Sequence, residues 1–266
     1  MSLERFLGKV AIMTGATQGI GLSSALRVGK EGAKVIISSR KQANIDQAVD
    51  FLKKEGIEAS GIVCHQNKKE DRRRLLEYAV DTYGGFDHVL VNAGANSSVD
   101  SLLTVTEEQF QRTFNTNVKS VFQFIQECFP FLKERGGGSI VANSSFSAYD
   151  PIMCVADTLR LYGISKVCLI SVIQQVARDC FNNNIRVNCV TPGGVETPFL
   201  KGGVSNKMVD AYGSLSGVDM PNEPAGRYGQ PDEIASVIAF LLSNDASYMA
   251  GQSVIASGGF ICTRAM

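Results

Sequence analysis

Short β-branched runs alternate with longer segments of helical period along the whole chain, and few architectures accommodate that order. The runs are residues 9–13, 34–38, 59–64, 88–91, 139–142, 186–190 and 253–256. The helical segments are 20–31, 45–55, 70–82, 107–133, 159–181 and 232–243. Several runs are apolar without alternation, which suits strands covered on both faces. The pattern therefore predicts an α/β fold, a parallel sheet with helices on both faces and right-handed crossovers. Asn44 and Thr106 are expected as N-caps, Thr106 with Gln109 in a capping box. No linker, repeat or low-complexity stretch divides residues 1–266, so one domain is expected. The segment 197–229, rich in Gly, Ser, Met and Pro, reads as a substrate lid.

Composition narrows the function classes. The 26 basic and 26 acidic residues cancel, so neither a nucleic acid nor an anionic membrane is expected as a partner. Arg72-Arg73-Arg74, beside Glu70-Asp71, reads as a solvated helix face. The seven Cys are scattered without a CxxC pair, which points to reduced thiols and a cytoplasmic setting. Two His and no Cys/His cluster exclude a zinc-type site, so no metal is expected. The first ten residues carry Glu4, Arg5 and Lys9 and do not read as a signal peptide. The most apolar stretch, 118–132, is interrupted by Lys119, Gln123, Gln126, Glu127 and Pro130, too polar to span a bilayer. The ending Arg264-Ala265-Met266 is not of the peroxisomal type.

Chemistry-bearing residues cluster at the ends of the strand candidates. Thr14-Gly15-Ala16-Thr17-Gln18-Gly19-Ile20-Gly21 follows the first strand and opens the first helix. Glycines there allow a tight turn and close approach of a pyrophosphate to backbone N–H groups at a positive helix end. The spacing is GxxxGxG, longer than the common GxGxxG. The second strand ends in Ser38-Ser39-Arg40-Lys41. An NAD site usually carries an acid here; a guanidinium instead suits the 2′-phosphate of NADP(H). Tyr162 and Lys166, four apart on a helix, share one face. An ammonium beside a phenol lowers its pKa and fits it for proton transfer. Ser144-Ser145 follows a strand, Asn92-Ala93-Gly94 ends another, and Asn117 lies mid-helix, where Asn is unfavourable without a reason.

Together with Pro192-Gly193, these residues resemble a short-chain dehydrogenase/reductase over residues 8 to 260. The resemblance implies a Rossmann fold, a single doubly wound sheet of about seven strands, and a homotetramer. It implies that Tyr162 is the general acid in carbonyl reduction, Ser145 orients the carbonyl, and Lys166 holds the nicotinamide ribose and depresses the Tyr162 pKa. Asn117, rather than Asn115, would hold a water linking Lys166 to solvent. Gly15, Thr17, Gln18, Gly19, Ile20, Gly21, Ser39, Arg40, Lys41, His65, Asn92, Ala93, Gly94, Pro192 and Gly193 would line the cofactor, with Val195 and Thr197 anchoring its carboxamide. Residues 38–49, 63–65 and 245–248 are similar to the NADPH-dependent carbonyl and retinal reductases of the dehydrogenase/reductase member 4 type. That similarity implies small-molecule ketones, dicarbonyls or retinoids as substrates.

The chain departs from the family pattern in places. His65 stands where an Asp is usual, Val91 precedes Asn92, and Gly194 loosens the loop after Pro192. Tyr162 lies 17 residues beyond Ser145, a longer interval than the family's usual one. The extra residues within 149–161 predict an apolar flap at the substrate mouth, or a bulged surface loop. Two alternative functions stand beside carbonyl reduction. One is a 3-oxoacyl-carrier-protein reductase, with Lys201, Lys207 and Arg227 as its basic patch. The other is a non-catalytic nucleotide-binding scaffold.

Overall fold

Strand β1 (Val10–Thr14) is buried at all five positions, so it can only be central. It pairs in parallel with β2 (Lys34–Ser39) on one side and β4 (His88–Val91) on the other. With β3 (Ala59–Val63), β5 (Gly138–Asn143), β6 (Ile185–Pro192) and β7 (Ser253–Ala256), they form one seven-stranded parallel sheet in the order β3-β2-β1-β4-β5-β6-β7. This computed structural model describes residues 4–96, 101–149, 159–199 and 224–259.

Both faces of the sheet are covered. Ala11 and Met13 face a layer containing Ala25 and Val28 of α1 (Gly19–Lys30) and Ile234 and Ile238 of α7 (Pro231–Leu242), with Ile45 of α2 (Gln42–Lys54). Val10 and Ile12 face Leu75 of α3 (Lys69–Tyr83), Phe124 of α5 (Ser120–Glu134) and Leu169 of α6 (Arg160–Phe181). The chain leaves β1 toward β2 and β3, then returns to β4 on its other side. The loops after β1 and β4 therefore diverge, opening a crevice at the carboxyl ends of the strands.

Three local expectations change. The α2 N-cap is Lys41, not Asn44, because the helix starts at Gln42, whose amide donates to Asp46 at 2.7 Å. The segment 107–133 is not one α-helix. It comprises α4 (Glu107–Phe114), a π turn (Asn115–Lys119) and α5, the first capped by Thr106 and Gln109 as expected. Arg72 is not on a solvated face. It is 1% exposed, with its Nε and Nη2 paired to Glu127 at 2.8 Å and Nη1 donating to the Gln66 carbonyl at 2.7 Å. A buried cation left without its partner is costly. Glu127→Ala is expected to lower unfolding free energy by about 3 kcal/mol, read from the denaturant midpoint.

His88 is buried, edge-on to Phe6 with ring centroids 5.2 Å apart. The Ser139 hydroxyl donates to the Leu242 carbonyl, so His88 Nδ1–H donates to Ser139 Oγ at 2.8 Å. Burial keeps this ring neutral, pulling its pKa from 6.5 to about 4. Below the unfolded value, the unfolded chain binds a proton that the folded chain refuses, so stability falls as pH drops. Between pH ~6.5 and ~5, above most carboxylate titrations, the loss should approach about 2 kcal/mol. His88→Gln should flatten that pH dependence in denaturant titrations; an unchanged slope would contradict the assignment.

Candidate active site

The crevice is a cleft of about 390 Å³, running from the end of β2 past the ends of β1, β4 and β5 to α6. At its entrance the turn after β1 leads into α1, which has no side-chain cap and no acidic residue in its first turn. Its free N–H groups and positive end thus meet the cleft without a competing anion. Gly21 lies behind the turn, where an added Cβ would come 2.5 Å from the Gly15 carbonyl oxygen, so only glycine lets the helix seat so closely.

Ser39 and Arg40 line the outer end, with the Thr17 hydroxyl 3.4 Å from that of Ser39. Arg40 is exposed and makes no hydrogen bond or ion pair with the described residues. Lys41 does not line the cleft; it caps α2 one residue beyond. His65 does, its backbone N–H held by Asp71 at 2.8 Å. Beside it Gln66 is buried with both amide atoms unpaired, and Asn67 donates to the Thr116 hydroxyl at 2.9 Å across the cleft wall. Arg112 is a second cation on this wall.

Ser145, Tyr162 and Lys166 converge at the inner end, 8%, 7% and 3% exposed. Ser145 begins the short helical turn Phe146–Ala148, where its Oγ accepts from the Ser147 N–H and hydroxyl. A Cβ on Gly163 would lie 2.6 Å from the Ser147 carbonyl, so this glycine brings α6 against the turn and Tyr162 against Ser145. Burial pushes the Tyr162 phenol above its ordinary range, while a hydrogen bond with Ser145 pulls the other way. The net direction is opposite to the depression expected from Lys166. The reason is that both groups are buried, and desolvation disfavours both charged forms. Burial likewise brings Lys166 down to about 8. Its Nζ donates to the Asn143 carbonyl at 2.7 Å and sits 5.3 Å from the Tyr162 ring centroid.

Asn117 is wholly buried in the π turn and does not line the cleft. Its side chain takes both backbone groups of Ala95, at 2.9 and 2.8 Å, and donates to Ser165 at 3.0 Å. A π turn commonly marks such a special site within a helix. The remaining expected residues, Gly15, Gln18, Gly19, Ile20, Asn92, Ala93, Gly94, Pro192, Gly193, Val195 and Thr197, all line the cleft.

The sequence reading missed Asn143, Gln66 and Arg112, and the apolar wall of Phe146 and Phe199. The rings of Phe199 and Tyr162 lie 5.7 Å apart. No local motif flagged these residues, although Asn143 stands two before Ser145. Of the expected flap, Leu159 lines the cleft, and 150–158 lie outside the described residues. Of the expected lid, Thr197, Pro198 and Phe199 line the cleft, and 200–223 lie outside the described residues. Arg227 is held by Glu233 at 2.7 and 2.8 Å, which removes it from the basic patch considered for a carrier protein. Among the described residues no helix is long and apolar enough to cross a membrane, and none group as a metal site.

A family model described as enoyl-(acyl carrier protein) reductase matches residues 15–261. A rabbit (Oryctolagus cuniculus) protein named dehydrogenase/reductase SDR family member 4 is 39% identical, over 94% of this chain and 93% of its own. A tropinone reductase-like protein from Erythroxylum coca is 41% identical, over 96% of this chain and 94% of its own. A solved 7α-hydroxysteroid dehydrogenase, complexed with NADH and 7-oxo glycochenodeoxycholic acid, superposes with a TM-score of 0.87 at 29% identity. The superposition covers 97% of this chain and 96% of that one.

Proposed function

Because the chain belongs to the short-chain dehydrogenase/reductase family of nicotinamide-dependent oxidoreductases, we propose that it is an NADPH-dependent carbonyl reductase acting on small apolar or aromatic ketones and aldehydes. One observation carries the reading. A buried Ser145, Tyr162 and Lys166 stand beside an apolar wall, at the far end of a cleft that begins at Arg40. The solved neighbour holds NADH and a steroid ketone. The free guanidinium of Arg40 supports the phosphorylated cofactor here instead.

The cleft fits a dinucleotide by its own construction: a glycine turn that leaves no room for a Cβ, an uncapped helix end and a free cation. The turn 14–21 and Gly94 would hold the pyrophosphate side, His65 the adenine, and Val195 and Thr197 the carboxamide. When bound, the nicotinamide supplies the hydride. Ser145 would donate a hydrogen bond to the substrate oxygen and fix its approach. Tyr162 would give its proton to that oxygen. Its raised pKa keeps the phenol protonated at neutral pH, as a donor requires. Lys166 would hold the ribose and favour the phenolate left behind, and Asn117 would support proton return from solvent. A homotetramer accords with the exposed Phe122 of α5 and Ile164 and Val167 of α6.

The test is turnover of NADPH by purified protein across diketones, aromatic ketones, retinal and 3-oxoacyl thioesters. Oxidation of NADPH with free ketones supports the reading. Turnover confined to acyl-carrier substrates, or none at all, would overturn it. Lys166 gives a pH prediction. The ammonium is present below about 8 and lost above it, so kcat/KM should fall as pH rises through that value.

A further inference from the structure

We propose that Asn143 is a positioning residue that ties the nucleotide turn to the Lys166 ammonium through Asn92, an inference that rests on the reductase reading. The geometry follows from strand register. Thr14 pairs with Val91, and Val91 pairs with Ala142. The next residues, Gly15, Asn92 and Asn143, therefore stand side by side at the ends of three adjacent strands. The backbone ladder stops there, and two side-chain amides continue it. Asn143 Nδ2 donates to Asn92 Oδ1 at 2.8 Å, and Asn92 Nδ2 donates to the Gly15 carbonyl at 2.8 Å. At the other end, the backbone carbonyl of Asn143 accepts Lys166 Nζ at 2.7 Å. The row thus begins in the turn that meets the pyrophosphate and ends on the catalytic cation.

Two further facts favour a role over packing. The Asn143 Oδ1 is buried and unpaired, a cost that an apolar residue at this strand end would avoid. Asn92 has both amide atoms engaged, so it cannot turn without releasing either Gly15 or Asn143. A shift of Gly15 is passed across the row to the residue that holds Lys166, and the ammonium is correctly placed only while the row is intact.

The experiment compares the full-length protein with Asn143→Val, the milder Asn143→Ser, Asn92→Ser and the Asn92→Ser/Asn143→Val double variant. Three readouts are used: NADPH Kd by nucleotide fluorescence, kcat/KM for a ketone against pH, and denaturant midpoint. Asn143→Val should lower kcat/KM about tenfold or more at pH ~7, as small misplacements do. It should also weaken NADPH binding several-fold and move the alkaline fall downward from about 8, as the buried ammonium loses its well-placed acceptor. In the Asn92→Ser background the same change should add little to either effect, because the row is already cut. A lower midpoint with unchanged Kd and pH profile would overturn the proposal, as would additive losses in the double variant. If Asn143→Val does not fold, Asn143→Ser carries the same readouts. If the wild type binds NADPH but reduces no carbonyl, the reductase reading fails while the Kd cycle still decides the coupling.

Discussion

Replacing Tyr162 by Phe is expected to lower NADPH-dependent carbonyl reduction about a thousandfold while leaving NADPH affinity within a few-fold of wild type, the size of a general-acid contribution. The substitution removes one oxygen from a side chain that is 7% exposed and leaves the ring against Phe199. It breaks one hydrogen bond, that with Ser145, and Ser145 keeps its two bonds from Ser147. Stability should therefore change by only about 1 kcal/mol. Steady-state turnover, nucleotide fluorescence and a denaturant midpoint separate the outcomes. Near-normal turnover would exclude Tyr162 as the proton donor, and a collapsed midpoint would show a structural role instead.

Arg40→Asp is expected to invert the cofactor preference. A bidentate, charge-assisted contact to a phosphate contributes on the order of 3–4 kcal/mol, so the ratio of NADPH to NADH affinity should fall by several hundredfold or more. The aspartate repels a 2′-phosphate yet can accept from a free 2′-hydroxyl, so NADH binding should hold or improve. Arg40 is exposed and unpaired, so the exchange breaks no existing ion pair among the described residues. Parallel Kd measurements with both nucleotides give the ratio. An equal loss for both would show that Arg40 does not read the phosphate.

Much of this was legible in the chain because it rests on local periodicity. Several continuous apolar runs marked strands buried on both faces, as β1, β4 and β6 are, and all seven strands overlap the expected runs, β4 and β7 with the same ends as read from the sequence. The turn 14–21 announced itself because its glycines lie between a strand and a helix. Other features depend on partners far away in sequence. Arg72 reads as solvated beside Glu70 and Asp71, but Glu127, 55 residues on, draws it into the interior. The break of 107–133 at the π turn follows from Asn117 reaching Ala95, 22 residues back. Propensity marks Asn117 as out of place in mid-helix but gives no sign of the partner it reaches.

The site divides in the same way. Tyr162 and Lys166 are neighbours on one helix face whatever surrounds them, so their pairing was fixed by the sequence alone. Their ionisation was not. Only burial against β5 and the Ser145 turn raises the phenol and brings the ammonium down to about 8, because desolvation is set by what packs around a group. Strand spacing likewise places Gly15, Asn92 and Asn143 at the ends of runs. Their alignment into one row exists only once the parallel register brings β1, β4 and β5 together. The chain by itself determined the chemical groups and the elements that carry them. The tertiary structure decided which groups meet and how strongly each holds its proton, since distance and solvent exclusion are properties of the packed sheet.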